Sequence, residues 1–300
     1  MKRNALVYSE KEFGNLDGKV ANGLVRKSEK YHIVGVIDST KAGLDAGEYL
    51  DGKKNNIPIF KDLDEAIQQL AEIPEYYIYG IAPLASFLSK EQREIIFDAM
   101  KRGMNIVNGL PQFLSNDEEF VAKSKTYGVT INDVRKPPER KDLHNFTGKI
   151  MDVTTPIINV MGTDCAVGKR TTALKLVEAL REEGLNAVFV TTGQTGLLQG
   201  SKYGIAIDVL TSGYAAGELE HAVVRADQEQ NPDIIVVEGQ GALSHPAFTS
   251  SSSIIRGSLP DAIILQHPPK RINRCDYPNF PMPSLKSEIE LIEMFSKVKV

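Results

Sequence analysis

The stretch that decides the fold is GTDCAVGKRTT, at residues 162–172. A strand-like apolar run at residues 157–161 leads into it, and a segment with helical periodicity follows at residues 173–180. Small residues let the backbone wrap an anion, Lys169 adds a positive charge, and the N-terminus of the following helix favours negative charge. The sequence therefore predicts a phosphate-binding loop of the P-loop type. The predicted phosphate-binding residues are Gly162, Thr163, Asp164, Cys165, Ala166, Val167, Gly168, Lys169, Arg170, Thr171 and Thr172.

The loop departs from the common P-loop pattern at two places. One residue more than usual separates its two glycines, and Arg170 stands after the lysine, where the pattern has a serine or threonine that binds Mg²⁺. Thr171 and Thr172 come one and two positions later. A guanidinium in this place can neutralise phosphate without a metal ion.

The composition is that of an ordinary soluble globular protein. The chain has 300 residues, of which 42% are hydrophobic and 25% charged, enough for one large domain or two. A net charge of −4 without a basic block argues against nucleic acid, and the sequence has neither a signal peptide nor an apolar run long enough to span a membrane. Two cysteines, Cys165 and Cys275, are too few for a disulfide framework. We expect a cytoplasmic protein that acts on a small molecule.

The first half of the chain alternates strand-like and helix-like patterns, which predicts a parallel sheet with helices on both faces. Asp38 ends the second predicted strand, where a dinucleotide-binding fold carries the acid that binds ribose. The first strand, however, does not lead into the glycine fingerprint of such folds, so the sequence disfavours NAD.

Prolines and charges at residues 135–141 break both periodicities and predict a domain boundary, although a surface loop within one sheet is the alternative. We place an N-terminal domain at residues 1–138, a linker at residues 139–155 and the P-loop domain at residues 156–300. The predicted fold class is α/β, with mainly parallel sheets in both domains.

Glu238 follows a near-continuous apolar run at residues 233–237, which is typical of a central parallel strand. An acid at this place, downstream of a P-loop, can bind Mg²⁺ or orient a reacting group, although a salt-bridged or capping role is the alternative. We predict that Glu238 and Thr171 are the metal ligands, and that Glu238, His245 and Lys169 are the catalytic residues. The polar turn TGQTG at residues 192–196 ends the preceding strand and predicts substrate contacts from Thr192, Gln194 and Thr195.

Motifs along nearly the whole chain fall at residues 80–83 (GIAP), 113–115 (FLS), 133–138 (DVRKPP), 162–172 and 192–196. Together they resemble the D-glutamate N-acetyltransferase-like P-loop family. The resemblance implies a Rossmann-like N-terminal domain, a P-loop C-terminal domain and N-acetylation of D-glutamate with acetyl-CoA as the donor. The P-loop would then hold the phosphates of CoA, Glu238 or His245 would take a proton from the amine, and Arg135 would hold a substrate carboxylate.

Two other functions stay open from the sequence. The phosphate loop and the stretch VEGQGAL at residues 237–243 also resemble the dethiobiotin synthetase group, which uses ATP and Mg²⁺ to activate a carboxylate-type group. ATP-dependent phosphoryl transfer or ligation on a small carboxylate is therefore the alternative to acetyl transfer. The third hypothesis is a nucleotide-sensing module without turnover. A homo-oligomer is compatible with each of the three.

Overall fold

The computed structural model describes residues 2–83 and 87–300. These residues form two compact units, each built on a parallel sheet. The first unit comprises the chain up to Lys136 together with Leu198–Gly200, and the second comprises Pro137–Leu197 and Ser201–Val300. The predicted α/β fold class is confirmed.

Within the residues that the structure describes, the first unit contains a six-stranded sheet and five α-helices. The strands are β1 (Arg3–Tyr8), β2 (Tyr31–Ile37), β3 (Ile59–Phe60), β4 (Tyr76–Tyr79), β5 (Asn105–Asn108) and β6 (Ile131–Asp133). The helices are α1 (Lys19–Arg26), α2 (Ala46–Asp51), α3 (Leu63–Gln69), α4 (Lys90–Lys101) and α5 (Glu118–Tyr127). All neighbouring strands are parallel, in the order β3-β2-β1-β4-β5-β6, which is the order of the Rossmann fold.

Asp38, at the end of β2, uses its carboxylate inside the first unit. The side chain is fully buried and accepts hydrogen bonds from Phe13 N at 3.1 Å and Lys41 Nζ at 2.9 Å, and also from Thr40. These bonds occupy the carboxylate that a dinucleotide-binding fold would turn towards a ribose.

Two of the motifs that carry the family resemblance contact each other in the first unit. The carboxylate of Asp133 accepts hydrogen bonds from Leu114 N at 3.0 Å and Ser115 N at 2.8 Å. Lys136 Nζ donates to Ser115 Oγ at 2.8 Å. The motifs at residues 113–115 and 133–138 therefore stabilise one local structure at the carboxyl ends of β5 and β6.

The second unit contains a five-stranded sheet, again with parallel neighbours. The strands are β7 (Ile157–Gly162), β8 (Ala187–Thr191), β9 (Tyr203–Gly204), β10 (Ile234–Glu238) and β11 (Ala262–Gln266). The helices along this part of the chain are α6 (Lys169–Glu182), α7 (Gln194–Gln199), α8 (Ser212–Gln230), α9 (Ser250–Ser258) and α10 (Leu285–Ser296). The order β11-β7-β10-β8-β9 puts β7 and β10 side by side in the centre. Their apolar residues fill the core, as the continuous hydrophobic run before Glu238 predicted.

Two helices of the second unit differ from what the sequence pattern predicts. Residues 192–196 were expected to form a polar turn, but α7 begins at Gln194. Helix α10 runs to Ser296, and Lys297 then takes a left-handed conformation with φ of 64°. Helix α9 was not expected, since its serine-rich start, residues 250–253, has no apolar periodicity.

Two buried acids of α8 hold the segment that enters β7. Glu218 Oε1 accepts a hydrogen bond from His144 N at 2.6 Å, and Glu220 accepts from Thr147 N at 2.6 Å and Ile150 N at 3.2 Å. A Cβ atom on Gly217 would lie 2.3 Å from the carbonyl oxygen of the same histidine, so only glycine permits this close approach. The acids of GELE, residues 217–220, therefore have a structural role.

In the described parts of the chain, no helix combines the length and the apolar character that crossing a membrane requires.

Replacing Glu220 with alanine tests the role of α8. We expect the free energy of unfolding to fall by about 1–3 kcal/mol for each backbone N–H left without an acceptor, measured by urea denaturation. Gln228→Ala, at an exposed position of the same helix, is the matched control and should change stability by less than about 0.5 kcal/mol. Equal stability of wild type and Glu220→Ala would contradict the structural role.

Candidate phosphate-binding site

The candidate site lies where the central strands of the second unit end. Because β7, β8, β10 and β11 are parallel, their carboxyl ends meet at one edge of the sheet, where ligands bind in open α/β folds. Thr163 N donates to Gln266 O at 3.0 Å, and Gly239 N donates to Val160 O at 2.9 Å. These bonds bring together the segments that follow β7, β10 and β11.

The loop between β7 and α6 has the backbone that phosphate binding requires. Gly168 has a φ of 94°, a left-handed conformation that favours glycine, and it caps α6 just before Lys169. The first turn of α6 therefore presents its N–H groups and the positive end of the helix dipole at the loop. A Cβ atom on Gly162 would lie 2.9 Å from Lys169 Cδ, so the lysine side chain passes directly over this glycine.

Lys169 is buried inside the loop. Its Nζ donates to the carbonyl oxygens of Asp164 at 2.6 Å and Gly241 at 3.0 Å. Burial lowers the pKa of Lys169 below its usual value, while the negative charges of Cys165, Asp164 and Glu238 oppose that shift. An incoming phosphate would replace the two carbonyl oxygens with anionic oxygen atoms, which favour the protonated amine.

Two arginines hold the loop from the segment that follows β11. Arg271 donates to Cys165 O at 2.8 Å and Ala166 O at 3.2 Å, and Arg274 donates to Thr163 O at 3.3 Å. In a trans peptide the carbonyl and the N–H of the next residue point in opposite directions. The N–H groups of Ala166 and Val167 therefore point away from Arg271, as an anion-binding loop requires.

The fully buried carboxylate of Asp164 connects the loop to this segment. Its Oδ2 accepts hydrogen bonds from Arg271 at 2.8 Å and from Cys275 N at 2.9 Å, while its Oδ1 lies 3.8 Å from both Arg274 and His245 Nε2. Burial opposes ionisation, but the bonds from Cys275 N and Arg271 hold the pKa of Asp164 below its usual value. Because a carboxylate repels phosphate, the Asp164 side chain would not contact the predicted ligand directly. Its backbone carbonyl binds Lys169, and its carboxylate binds Arg271.

His245 has one ring nitrogen engaged and the other buried. Its Nδ1 accepts a hydrogen bond from Ala247 N at 3.1 Å, so the neutral ring carries its proton on Nε2, which faces Asp164. Burial and the charge of Arg274 lower the pKa of His245 and keep the ring neutral. In this tautomer Nε2 carries a proton, so it can act only as a hydrogen-bond donor and cannot accept a proton.

The side chains of Asp164, Cys165 and His245 offer ligand atoms within 4.8 Å of one another, a spacing that a metal ion could use. Two features disfavour a cation here. The proton on His245 Nε2 blocks the nitrogen that faces Asp164, and Arg271 already binds that carboxylate.

Glu238 is buried at the end of β10, and the predicted substrate residue Thr192 contacts it. Its Oε2 accepts hydrogen bonds from Thr191 Oγ1 and Thr192 N, and its carbonyl accepts from Thr192 Oγ1 at 2.9 Å. Thr171, the second predicted metal ligand, is exposed in the first turn of α6. Binding of a metal ion by Glu238 and Thr171 stays a prediction.

The remaining predicted residues are distributed along the chain. Arg170 and Thr172 lie in the first turn of α6, Gln194 and Thr195 begin α7, and Arg135 follows β6 in the first unit. The sequence reasoning missed Arg271 and Arg274. The available signal was their position just after a strand that ends at the ligand edge.

A parallel sheet whose strand β7 leads through a phosphate loop into α6 defines the P-loop class of proteins. Residues 144–300 match the family described as "Domain of unknown function (DUF1611_C) P-loop domain". Residues 39–137 match "Domain of unknown function (DUF1611_N) Rossmann-like domain". The chain therefore belongs to the DUF1611 family, and both predicted domain types are confirmed.

Two relatives of this chain share the same name, which describes an enzymatic activity. A D-glutamate N-acetyltransferase from Pseudoalteromonas sp is 36% identical over 216 residues, which are 72% of this chain and 63% of that protein. A D-glutamate N-acetyltransferase from Tritonibacter scottomollicae is 28% identical over 210 residues, 70% of this chain and 61% of that protein. Both matches span less than two thirds of the relative's length. The crystal structure of a DUF1611 family protein from Anabaena variabilis has a TM-score of 0.89 and 32% identity, covering 99% of this chain and 83% of that one.

Replacing Asp164 with asparagine tests the carboxylate that holds the loop. The folded-state pKa lies below the unfolded value of 3.8, so its ionisation stabilises the fold above that pH, and the contribution is lost as the pH falls through the folded-state pKa. We expect Asp164→Asn to be less stable than wild type by about 1–3 kcal/mol at neutral pH, with the difference shrinking in acid. Urea denaturation across this pH range measures it.

Asp152→Asn, at an exposed position, is the control. Its free energy of unfolding should differ little from that of wild type at every pH. A wild-type advantage over Asp164→Asn that is the same in acid and at neutral pH would contradict the role of the charge.

Proposed function

We propose that the protein is an N-acetyltransferase that transfers the acetyl group of acetyl-CoA to the amine of an amino acid such as D-glutamate. The observation that carries this proposal is the phosphate loop around Lys169, in a chain whose relatives are named D-glutamate N-acetyltransferase. CoA contains a diphosphate and a further phosphate, which are the groups that such a loop binds. Lys169 and the N-terminus of α6 would hold them.

The reaction needs a base, and Glu238 is the best candidate for it. The base takes a proton from the ammonium group of the amino acid, and the free amine then attacks the thioester carbonyl carbon. A C–N bond forms, the C–S bond breaks, and CoA leaves as its thiol. Thr191 and Thr192 orient the Glu238 carboxylate. His245 is a poorer candidate, because its Nδ1, the ring nitrogen without a proton, already accepts a hydrogen bond from Ala247 N.

Incubation of the purified chain with acetyl-CoA and D-glutamate tests the proposal. We expect release of free CoA thiol and formation of N-acetyl-D-glutamate, detected with a thiol reagent and by mass spectrometry. Lys169→Met keeps the length of the side chain but removes its charge, and it should raise the KM for acetyl-CoA by about tenfold or more. Glu238→Gln should lower kcat by about 10²-fold or more.

Lys175→Met is the matched control, because Lys175 lies exposed on the same helix, α6. It should leave both constants unchanged. If no CoA is released with D-glutamate, with its enantiomer or with other amino acids, acetyl transfer is wrong for this chain.

Arg271→Ala tests whether the arginine that binds the loop from the segment after β11 is needed for CoA binding. The variant loses the bonds to Asp164 and to two loop carbonyls, so we expect affinity for CoA to fall by about tenfold, or about 1.4 kcal/mol, in calorimetry. Lys270→Ala removes an equal charge from the exposed neighbouring position and is the control. Equal losses in the two variants would mean that only net charge matters.

One observation favours ATP-dependent chemistry as the second candidate. Glu238 ends β10, the strand beside β7, which is the position of a Mg²⁺-binding acid in many P-loop enzymes. The reaction would be phosphoryl transfer or ligation on a small carboxylate, with Lys169 on the phosphates and Mg²⁺ on Glu238 and Thr171.

Calorimetry with ATP, with and without Mg²⁺, against CoA and acetyl-CoA separates the two candidates. We expect tighter binding of CoA and acetyl-CoA than of ATP, and no dependence on Mg²⁺. ATP binding that requires Mg²⁺ and disappears in Glu238→Gln would favour the ATP-dependent reaction instead.

A further inference from the structure

The two cysteines of the chain meet at the phosphate loop. Cys165 and Cys275 are 110 positions apart in the sequence, yet Cys275 Sγ lies 3.6 Å from the carbonyl oxygen of Cys165. Cys275 Sγ donates to this carbonyl oxygen, and each of the two thiols shifts the pKa of the other. Both residues are reduced and neither is fully buried.

The backbone around both sulfur atoms is fixed by one carboxylate. Asp164, the residue before Cys165, accepts a hydrogen bond from Cys275 N at 2.9 Å. Arg271 binds the same carboxylate and also the carbonyl oxygen of Cys165. The hydrogen bonds of Asp164 and Arg271 that hold the loop therefore also bring the two cysteines together.

The surroundings make the two thiols chemically different. The hydrogen bond from Cys275 lowers the pKa of Cys165, burial opposes the shift, and the charge of Lys169 supports it. The hydrogen bond to Cys165, together with burial, raises the pKa of Cys275 well above its ordinary value. Cys165 is thus the more nucleophilic sulfur, and Cys275 stays protonated beside it, as attacking and resolving cysteines do.

We propose that Cys165 and Cys275 form a reversible oxidation site that closes a disulfide between the phosphate loop and the segment after β11. The oxidant is a peroxide. The Cys165 thiolate attacks one peroxide oxygen, the O–O bond breaks, and Cys165 sulfenic acid and hydroxide form. The Cys275 thiol then attacks the sulfenic sulfur, an S–S bond forms, and water leaves. The pair loses two electrons in total, and a dithiol reductant restores both thiols.

This site goes beyond acetyl transfer and does not depend on it. A disulfide would join the loop covalently to the segment that carries Arg271 and Arg274, and it would prevent Cys165 from ionising beside Lys169. Oxidation therefore acts directly on the group of residues that binds phosphate.

Treatment of the purified protein with hydrogen peroxide tests the proposal. We expect the intact mass to fall by two hydrogen atoms, a non-reduced peptide map to link Cys165 with Cys275, and dithiothreitol to reverse both changes. Cys275→Ser should instead retain a sulfenic acid at Cys165 that reacts with dimedone. Cys165→Ser should be unchanged at the same dose. Before oxidation, iodoacetamide at neutral pH should label Cys165 at least about tenfold faster than Cys275.

Addition of oxygen to wild type without loss of two hydrogens would overturn the proposal, as would disulfides only between chains. Identical products from wild type and Cys275→Ser would also overturn it. The wild-type measurement stands without the variants, whose folding is checked by thermal denaturation. Assays of CoA release use separate samples, so the proposed acetyl transfer can fail while disulfide formation succeeds, or the reverse.

Discussion

The ion pair between Asp164 and Arg271 is the interaction on which the site depends. A fully buried carboxylate is costly unless charged and polar partners replace water, and Arg271 with Cys275 N supplies them. Both partners lie in the segment after β11, more than a hundred positions further along the chain. Burial of one aspartate thus fixes a long irregular segment against the loop, and the same arginine then holds two carbonyl oxygens of the loop.

The positively charged side chains around the loop come from two places, the loop itself and the segment after β11. Lys169 is buried within the loop and donates to two carbonyl oxygens, which the phosphate of the proposed ligand would replace. Arg271 and Arg274 bind carbonyl oxygens and a carboxylate of the loop itself, so the proposed ligand would not need to displace these bonds. A planar guanidinium with several donors suits the bonds that hold the loop, and a single ammonium group on a flexible chain suits the bonds that the proposed ligand would replace.

The end of β10, beside the loop, carries Glu238, the base of the proposed acetyl transfer. Glu238 is oriented by Thr191 and Thr192, so its carboxylate has a defined direction beside Lys169. His245 is oriented as well, but its hydrogen bond with Ala247 N commits it to donating from the nitrogen that faces Asp164. Of the two bases that the sequence suggested, the geometry therefore favours the glutamate.

The sequence by itself determined the features that depend on neighbours along the chain. The run at residues 157–172 specified a strand, a loop and a helix, and the apolar run before Glu238 specified a central strand, because local spacing carries that information. Three features needed the tertiary structure: the start of α7 within an expected turn, the tautomer of His245, and the pairing of Cys165 with Cys275. The contacts of Arg271 and Arg274 with the loop are a fourth. Contacts between segments a hundred positions apart leave no periodic pattern in the sequence, so the folded chain is needed to show which residues contact the loop.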